Sequence, residues 1–294
     1  MRDSGKLLDL IRSATGIEIP ENSGLVAVGG GDIHASYRLE TNSGPLFLKL
    51  NDADSLAMFA AEADGLAAIR QTDAIRVPEV IAYAGDDQLS FLLLEWLEMS
   101  SGGPREDRDL GRGLARLHRS RGKWHGWSGD NFIGSTPQIN TPSDDWIDFY
   151  RECRLKPQFE MAARNGFGGP LQDLGNELGK RLNGLLGSHH PSPSLLHGDL
   201  WGGNKAALPD GTPVIFDPAA YYGDRETDLA MTRLFGGFGE SFYSAYEEEW
   251  PLPEGAGVRC RLYQLYHLLN HLNLFGASYL NRATDIANSL LKAA

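Results

Sequence analysis

Cysteine is scarce in this chain. There are two, Cys153 and Cys260, far apart and without a CxxC spacing. That excludes a disulfide scaffold and a cysteine-rich zinc site. Both fall in stretches with helical character, where ordinary half-buried thiols are expected. No run approaches the roughly 18 apolar residues of a membrane span. Residues Met1 to Leu8 lack the apolar core and cleavage site of a signal peptide. Positive charge is also in deficit: 27 Lys and Arg against 39 Asp and Glu leave a net charge of -12. No basic patch of the kind that marks a nucleic-acid binder is present. The acidic balance reads as solubility, with attraction of a cationic substrate as the sharper alternative. The expectation is a cytoplasmic protein with neither nucleic acid nor membrane as a partner. With 294 residues, 41% of them hydrophobic, the chain can fill one large domain or two lobes.

One stretch organises the rest. Leu195-Leu196-His197-Gly198-Asp199-Leu200-Trp201-Gly202-Gly203-Asn204 is followed by a second apolar run, Val214-Ile215-Phe216-Asp217. The spacing His-x-Asp-x-x-x-x-Asn, then an Asp after a strand, is the pattern of a kinase catalytic loop. In it Asp199 accepts the proton of a substrate hydroxyl. Asn204 and Asp217 supply hard oxygen ligands suited to Mg²⁺. His197 is expected to orient backbone. A metal-hydrolase reading of His197, Asp199 and Asp217 lacks an HExxH-like spacing. Asp228 is expected to brace the loop by accepting backbone hydrogen bonds. Trp201, two residues after the base, is expected to stack on the acceptor, with lobe packing as the bland alternative.

The upstream third reads as strands. A glycine-rich turn, Gly29-Gly30-Gly31, joins two of them and is a candidate flap over nucleotide phosphates. Pro45 to Leu50 is a strand bearing Lys49, the candidate phosphate lysine. A helix over 53–70 offers Glu62 as its partner. Two buried strands flank Gly85-Asp86-Asp87. The second leads into Glu95-Trp96-Leu97, where backbone groups of a hinge can pair with an adenine edge. After Met99 the pattern turns helical, with helices expected over 107–119, 144–163, 171–186, 225–238, 239–250 and 257–283. His118 is expected to cap or pack, and His189-His190 to lie in a solvated loop. His267 and His271 are read as core or cleft-lining residues. Lys123 to Asn140 reads as a long loop of functional composition.

The motif His197-Gly198-Asp199-Leu200-Trp201-Gly202-Gly203-Asn204 resembles the signature of the fructosamine/ketosamine-3-kinase family. Gly129 to Gly134, Trp146 with Phe149-Tyr150, Asp217-Pro218-Ala219, Tyr222 to Met231, Leu234 to Phe238 and Tyr263 to His271 resemble further blocks of it. The resemblance implies an α+β, protein-kinase-like fold. A small β-rich N-lobe would span 1–98 and a larger, mainly helical C-lobe 99–294. It implies ATP- and Mg²⁺-dependent phosphorylation of the sugar 3-hydroxyl on ketoamines, free or on protein lysines. The 3-phosphate then eliminates and frees the amine. By the same resemblance Asp199 is the base, Asn204 and Asp217 the metal ligands, Lys49 and Glu62 the phosphate pair, and Glu95 to Leu97 the hinge. Pro218-Ala219 stands where a protein kinase has Phe-Gly, which argues against a regulatory activation loop. Asp32 stands where some family members carry cysteine, so a redox switch there is not expected. The alternatives are phosphorylation of another cationic hydroxyl compound, or an inactive nucleotide-binding module.

Overall fold

A computed structural model describes residues 4–20, 23–29, 33–187 and 189–293. Its first third holds a five-stranded antiparallel sheet of β1 (Leu25–Ala27), β2 (Ala35–Thr41), β3 (Gly44–Asp52), β4 (Val80–Gly85) and β5 (Leu89–Glu95). The strand order is β1-β2-β3-β5-β4. Strand β5 is a nearly unbroken apolar run because both of its faces are covered. Leu89, Phe91 and Leu93 meet Leu7, Leu8 and Ile11 of helix α1 (Ser4–Thr15). Leu92 and Leu94 point the other way, towards Phe59, Leu66 and Ile69 of helix α2 (Leu56–Gln71). The period of two along a strand assigns each leucine its face.

The cluster on the α2 side does not stop at the sheet. It continues through Leu114 and Leu117 of α3 (Pro104–His118) to Leu195, Leu200, Ile215 and Leu229. The helical lobe adds α4 (Trp146–Tyr150), α5 (Lys156–Arg164), α6 (Pro170–Leu186), α7 (Glu226–Leu234), α8 (Glu240–Glu249), α9 (Ala256–Phe275) and α10 (Leu280–Ala293). Its own core is built from Trp146, Tyr150, Leu182, Tyr263, Tyr266, Leu269 and Leu290, among others. Among the described residues, no helix is long and apolar enough to cross a membrane.

Four expected elements differ. The helix expected over 53–70 opens with a 3-10 turn at Ala53–Ser55 before α2 begins. The helix expected over 144–163 is two, joined by one π-helical turn at Arg151–Leu155. The helix expected over 225–238 ends at Leu234, because Gly236 and Gly237 take φ of 78° and 92°. The one expected over 257–283 ends at Phe275, where Gly276 at φ 88° redirects the chain into α10. The long loop also contains structure: β6 (Asn131–Ile133) and β7 (Thr136–Gln138) form a hairpin. Two more short pairs frame the central stretch, β8 (Ser194–Leu196) with β11 (Tyr221–Gly223), and β9 (Lys205–Ala207) with β10 (Pro213–Ile215).

Candidate active site

Strand β3 puts Lys49 opposite Leu92, so its side chain faces α2 and the helical lobe. It is 5% exposed. Its Nζ lies 2.7 Å from Glu62 Oε1 and 2.5 Å from Asp217 Oδ1. Three residues far apart in sequence thus converge on one buried ammonium. Burial pulls the Lys49 pKa down, but Asp217 and Glu62 more than reverse it, so the amine stays charged. Burial pushes Glu62 up to about 7 against the pull of Lys49, with Asp217 adding to the rise.

Asp217 leaves strand β10 by a left-handed turn, φ 58°, one of two non-glycine residues with positive φ among those described. Such strain persists only where surrounding structure enforces it, and it gathers at functional sites. Its carboxylate is 41% exposed on the cleft side. Asn204 is buried, and its Nδ2 donates to the carbonyls of Asp199 (3.0 Å) and Asp217 (3.5 Å). That leaves its Oδ1 as the atom available to a cation. Asp199 is partly exposed on the same loop. Burial first, then repulsion from Asp217 and Asp228, raises its pKa to about 7.

The loop is held from beneath. The Asp228 carboxylate accepts from the backbone N–H of His197 and of Gly198, both at 2.8 Å. Burial would raise its pKa, but hydrogen bonding from His118 and the charges around it hold it below the usual range. His197 is fully buried, and burial lowers its pKa. Neutral, it donates from Nε2 to the Phe216 carbonyl at 2.9 Å, and its Nδ1 accepts from Asp199 N–H at 3.3 Å. Gly198 sits at φ 84°, and a Cβ there would lie 2.0 Å from the Ala219 oxygen. Only glycine fits.

Trp201 is 41% exposed, and its ring covers Gly203, where a Cβ would fall 2.3 Å from it. At the other end of the cleft, β5 stops at Glu95, whose carboxylate is held by Arg76. Residues 96–99 run unpaired by any strand until Ser100 bonds Ala207 in both directions at 2.9 Å. The Trp96 indole turns aside to Glu98 (2.8 Å) and lies under the Arg38 guanidinium, so that ring is engaged within the protein. Of the glycine-rich turn, Gly29 is described. Gly30, Gly31 and Asp32 lie outside the described residues. The turn's far stem is clamped by Asn51, whose Nδ2 donates to the Ile33 carbonyl (3.2 Å) and to His34 Nδ1 (2.8 Å).

Several supporting residues take roles that the sequence did not assign them. His118 links Asp228 (3.1 Å) to Tyr246 (2.8 Å) inside the helical lobe, so it does more than pack. Asn131 and Gln138 of the hairpin donate to the Ala220 (2.7 Å) and Ala219 (3.3 Å) carbonyls. Fully buried Arg154 ties the Ile139 carbonyl and Asn140 to the π-helical turn. The segment after Asp217 is therefore fixed. His189, expected in a solvated loop, instead meets Asp224 at 2.7 Å, beside Glu226. Arg259 forks onto Glu226 (2.8 and 2.7 Å) and Tyr263 donates to Asp224 (2.6 Å), making the group an ion-pair knot. His267 is buried in the core, and His271 Nδ1 bonds its carbonyl at 2.8 Å.

The family model described as fructosamine kinase matches residues 8–293. A Synechocystis protein named a probable ketoamine kinase is 45% identical over 90% of both chains. A chloroplastic protein-ribulosamine 3-kinase of Arabidopsis thaliana is 42% identical over 90% of this chain and 82% of its own. Among solved structures, a candidate fructosamine-3-kinase from Thermobifida fusca superposes with a TM-score of 0.86 at 34% identity, covering 97% of this chain and 98% of that one. A choline kinase from Streptococcus pneumoniae shares the fold alone, with a TM-score of 0.67 at 14% identity over 99% of both chains.

Proposed function

This chain belongs to the fructosamine kinase family, and from that premise we propose that it is an ATP-dependent kinase of the 3-hydroxyl of ketoamine sugars, free or on protein lysines. The observation that carries the reading is the convergence of Lys49, Glu62 and Asp217 within 2.7 Å beside the loop of Asp199. We take residues 1–98 and 99–294 as the two lobes of the cleft. Its need for ATP favours a cytoplasmic setting.

When bound, Mg²⁺ and ATP supply the transferable phosphoryl group and the cation charge that offsets its oxygens. The donor set fits such a metal: the Asn204 Oδ1 and the Asp217 carboxylate are hard oxygens beside the Lys49 charge. Asp199 orients the sugar hydroxyl and accepts its proton at a carboxylate oxygen. A pKa near 7 suits that task, because a base close to ambient pH combines availability with driving force. Lys49, kept charged and pinned by Glu62, would hold the phosphates of bound ATP. Trp201 offers its exposed ring to the sugar face. The backbone of Glu95 to Leu97 would pair with the adenine edge of a bound nucleotide. His197 and Asp228 keep the loop from moving, so catalysis is mostly positioning and electrostatics.

The test is mass spectrometry of fructose-lysine and ribulose-lysine incubated with protein, ATP and Mg²⁺, where one phosphate of added mass is expected. Asp199→Asn should cut turnover by about 10²- to 10⁴-fold, the usual worth of a general base, while nucleotide binding persists. Wild-type turnover in that variant would show the base to be elsewhere.

A further inference from the structure

A cavity of about 350 Å³ opens beside the catalytic cleft, between the two lobes. Ile33, Asn51, Ser55 and Met58 form its N-lobe wall, and Ser135, Leu274 and Phe275 face them. Both walls lead to the site. Asn51 is two residues from Lys49 along β3, on the same face, and so about 7 Å away. Met58 and Glu62 stand at i and i+4 on α2, so they share a helix face one turn apart. On the other wall, Phe275 is one turn beyond His271, with ring centroids 5.4 Å apart. The His271 ring lies tilted against Phe235, with centroids 4.6 Å apart. The next two residues, Gly236 and Gly237, pack against Gly202 of the catalytic loop. Gly134 lies beside Ile33 and Leu274, since a Cβ there would stand 3.1 Å from Cδ1 of each.

The lining is mixed: Ile33, Met58, Leu274 and Phe275 are apolar, and Asn51, Ser55 and Ser135 are polar. Phe275 is 47% exposed although its ring neighbours His271 (5.4 Å) and Tyr279 (6.4 Å), so apolar surface is left open towards the cavity. A ketoamine carries its amine substituent on the carbon next to the carbonyl, a few bonds from the 3-hydroxyl. With that hydroxyl at Asp199, the substituent has to leave the site along one of its walls. The aliphatic stem of lysine, four carbons long, suits a short apolar slot with a polar rim.

On the reading of the site given above, we propose that this cavity is the subsite for the amine-borne arm of the substrate. Its methylenes lie against Met58, Leu274 and Phe275. The Ser55 and Ser135 hydroxyls meet the polar end, a lysine backbone. The enzyme therefore selects ketoamines of long-armed primary amines, such as lysine, over those of small amines.

The experiment is a series of ribulose-derived ketoamines of straight-chain alkylamines, from methylamine to hexylamine. In the wild-type protein kcat/KM should rise about two- to fourfold per added methylene, as expected for progressive apolar burial. In Phe275→Ala and, from the other lobe, Met58→Ser, the slope should flatten. A flat wild-type profile overturns the subsite, as do variants that keep the full slope. Absence of phosphorylated product with every member overturns the phosphotransfer reading, and the subsite with it.

Discussion

Asp199 depends on a compromise that one measurement exposes. Burial, Asp217 and Asp228 together hold it near 7, far above an ordinary aspartate. As the base we propose, Asp199 must be ionised to accept a proton. In the pH profile of kcat/KM, activity should therefore fall about tenfold per unit below pH 7 and level off above it. A limb near pH 4 would place the base in an ordinary solvated environment. Gly198 is the second sensitive residue. Gly198→Ala puts a methyl group 2.0 Å from the Ala219 oxygen at a left-handed φ. The cost should be about 2–3 kcal/mol, seen as a lower denaturation midpoint together with lost activity.

At the scale of elements, the seat of α2 decides whether Lys49 and Glu62 meet. A Cβ on Gly65 of that helix would stand 3.1 Å from Ala220 Cβ and 3.2 Å from Pro218 Cγ, so the helix rests directly on the segment after Asp217. Trp127 adds a strut, donating from Nε1 to Asp64 at 2.6 Å. Gly65→Leu should push the helix away and cut kcat about tenfold to a hundredfold with the fold kept, measured by steady-state kinetics alongside circular dichroism. Trp127→Phe, which keeps an aromatic ring but removes the donor and part of the packed indole, should cost about 1–3 kcal/mol in a denaturant titration. Much of this arrangement was legible in the sequence, for a physical reason. Asp199 and Asn204 are five residues apart, and Lys49 rides on a strand whose alternation sets its face. Local spacing and period encode such residues. The polar supports were not legible. His118 reaches Asp228 across 110 residues, and Arg154 reaches its carbonyls from a π-helical turn. Pairings of that kind leave no period behind. The break at Gly276 hid in the same way, because the apolar pattern of α9 runs on into α10.

For the whole molecule, the main fact is a core shared between lobes. Phe59, Leu66, Ile69, Leu92 and Leu94 from the sheet side pack in one cluster with Leu114, Leu195, Leu200, Ile215 and Phe242 from the helical side. Two lobes with separate cores would melt separately. Here fluorescence and far-ultraviolet circular dichroism should trace one coincident unfolding curve. Two resolved transitions would contradict the shared core. The same cluster also bears on what holds the polypeptide together. Between Glu98 and Gly102 the chain crosses from sheet to helices on the surface, tied by the Ser100–Ala207 pair, an exposed stretch open to a protease. A single cut there should separate the peptide into two pieces in denaturing gel electrophoresis, yet leave them eluting together in native buffer. The apolar seam, not the covalent link, is what joins the halves.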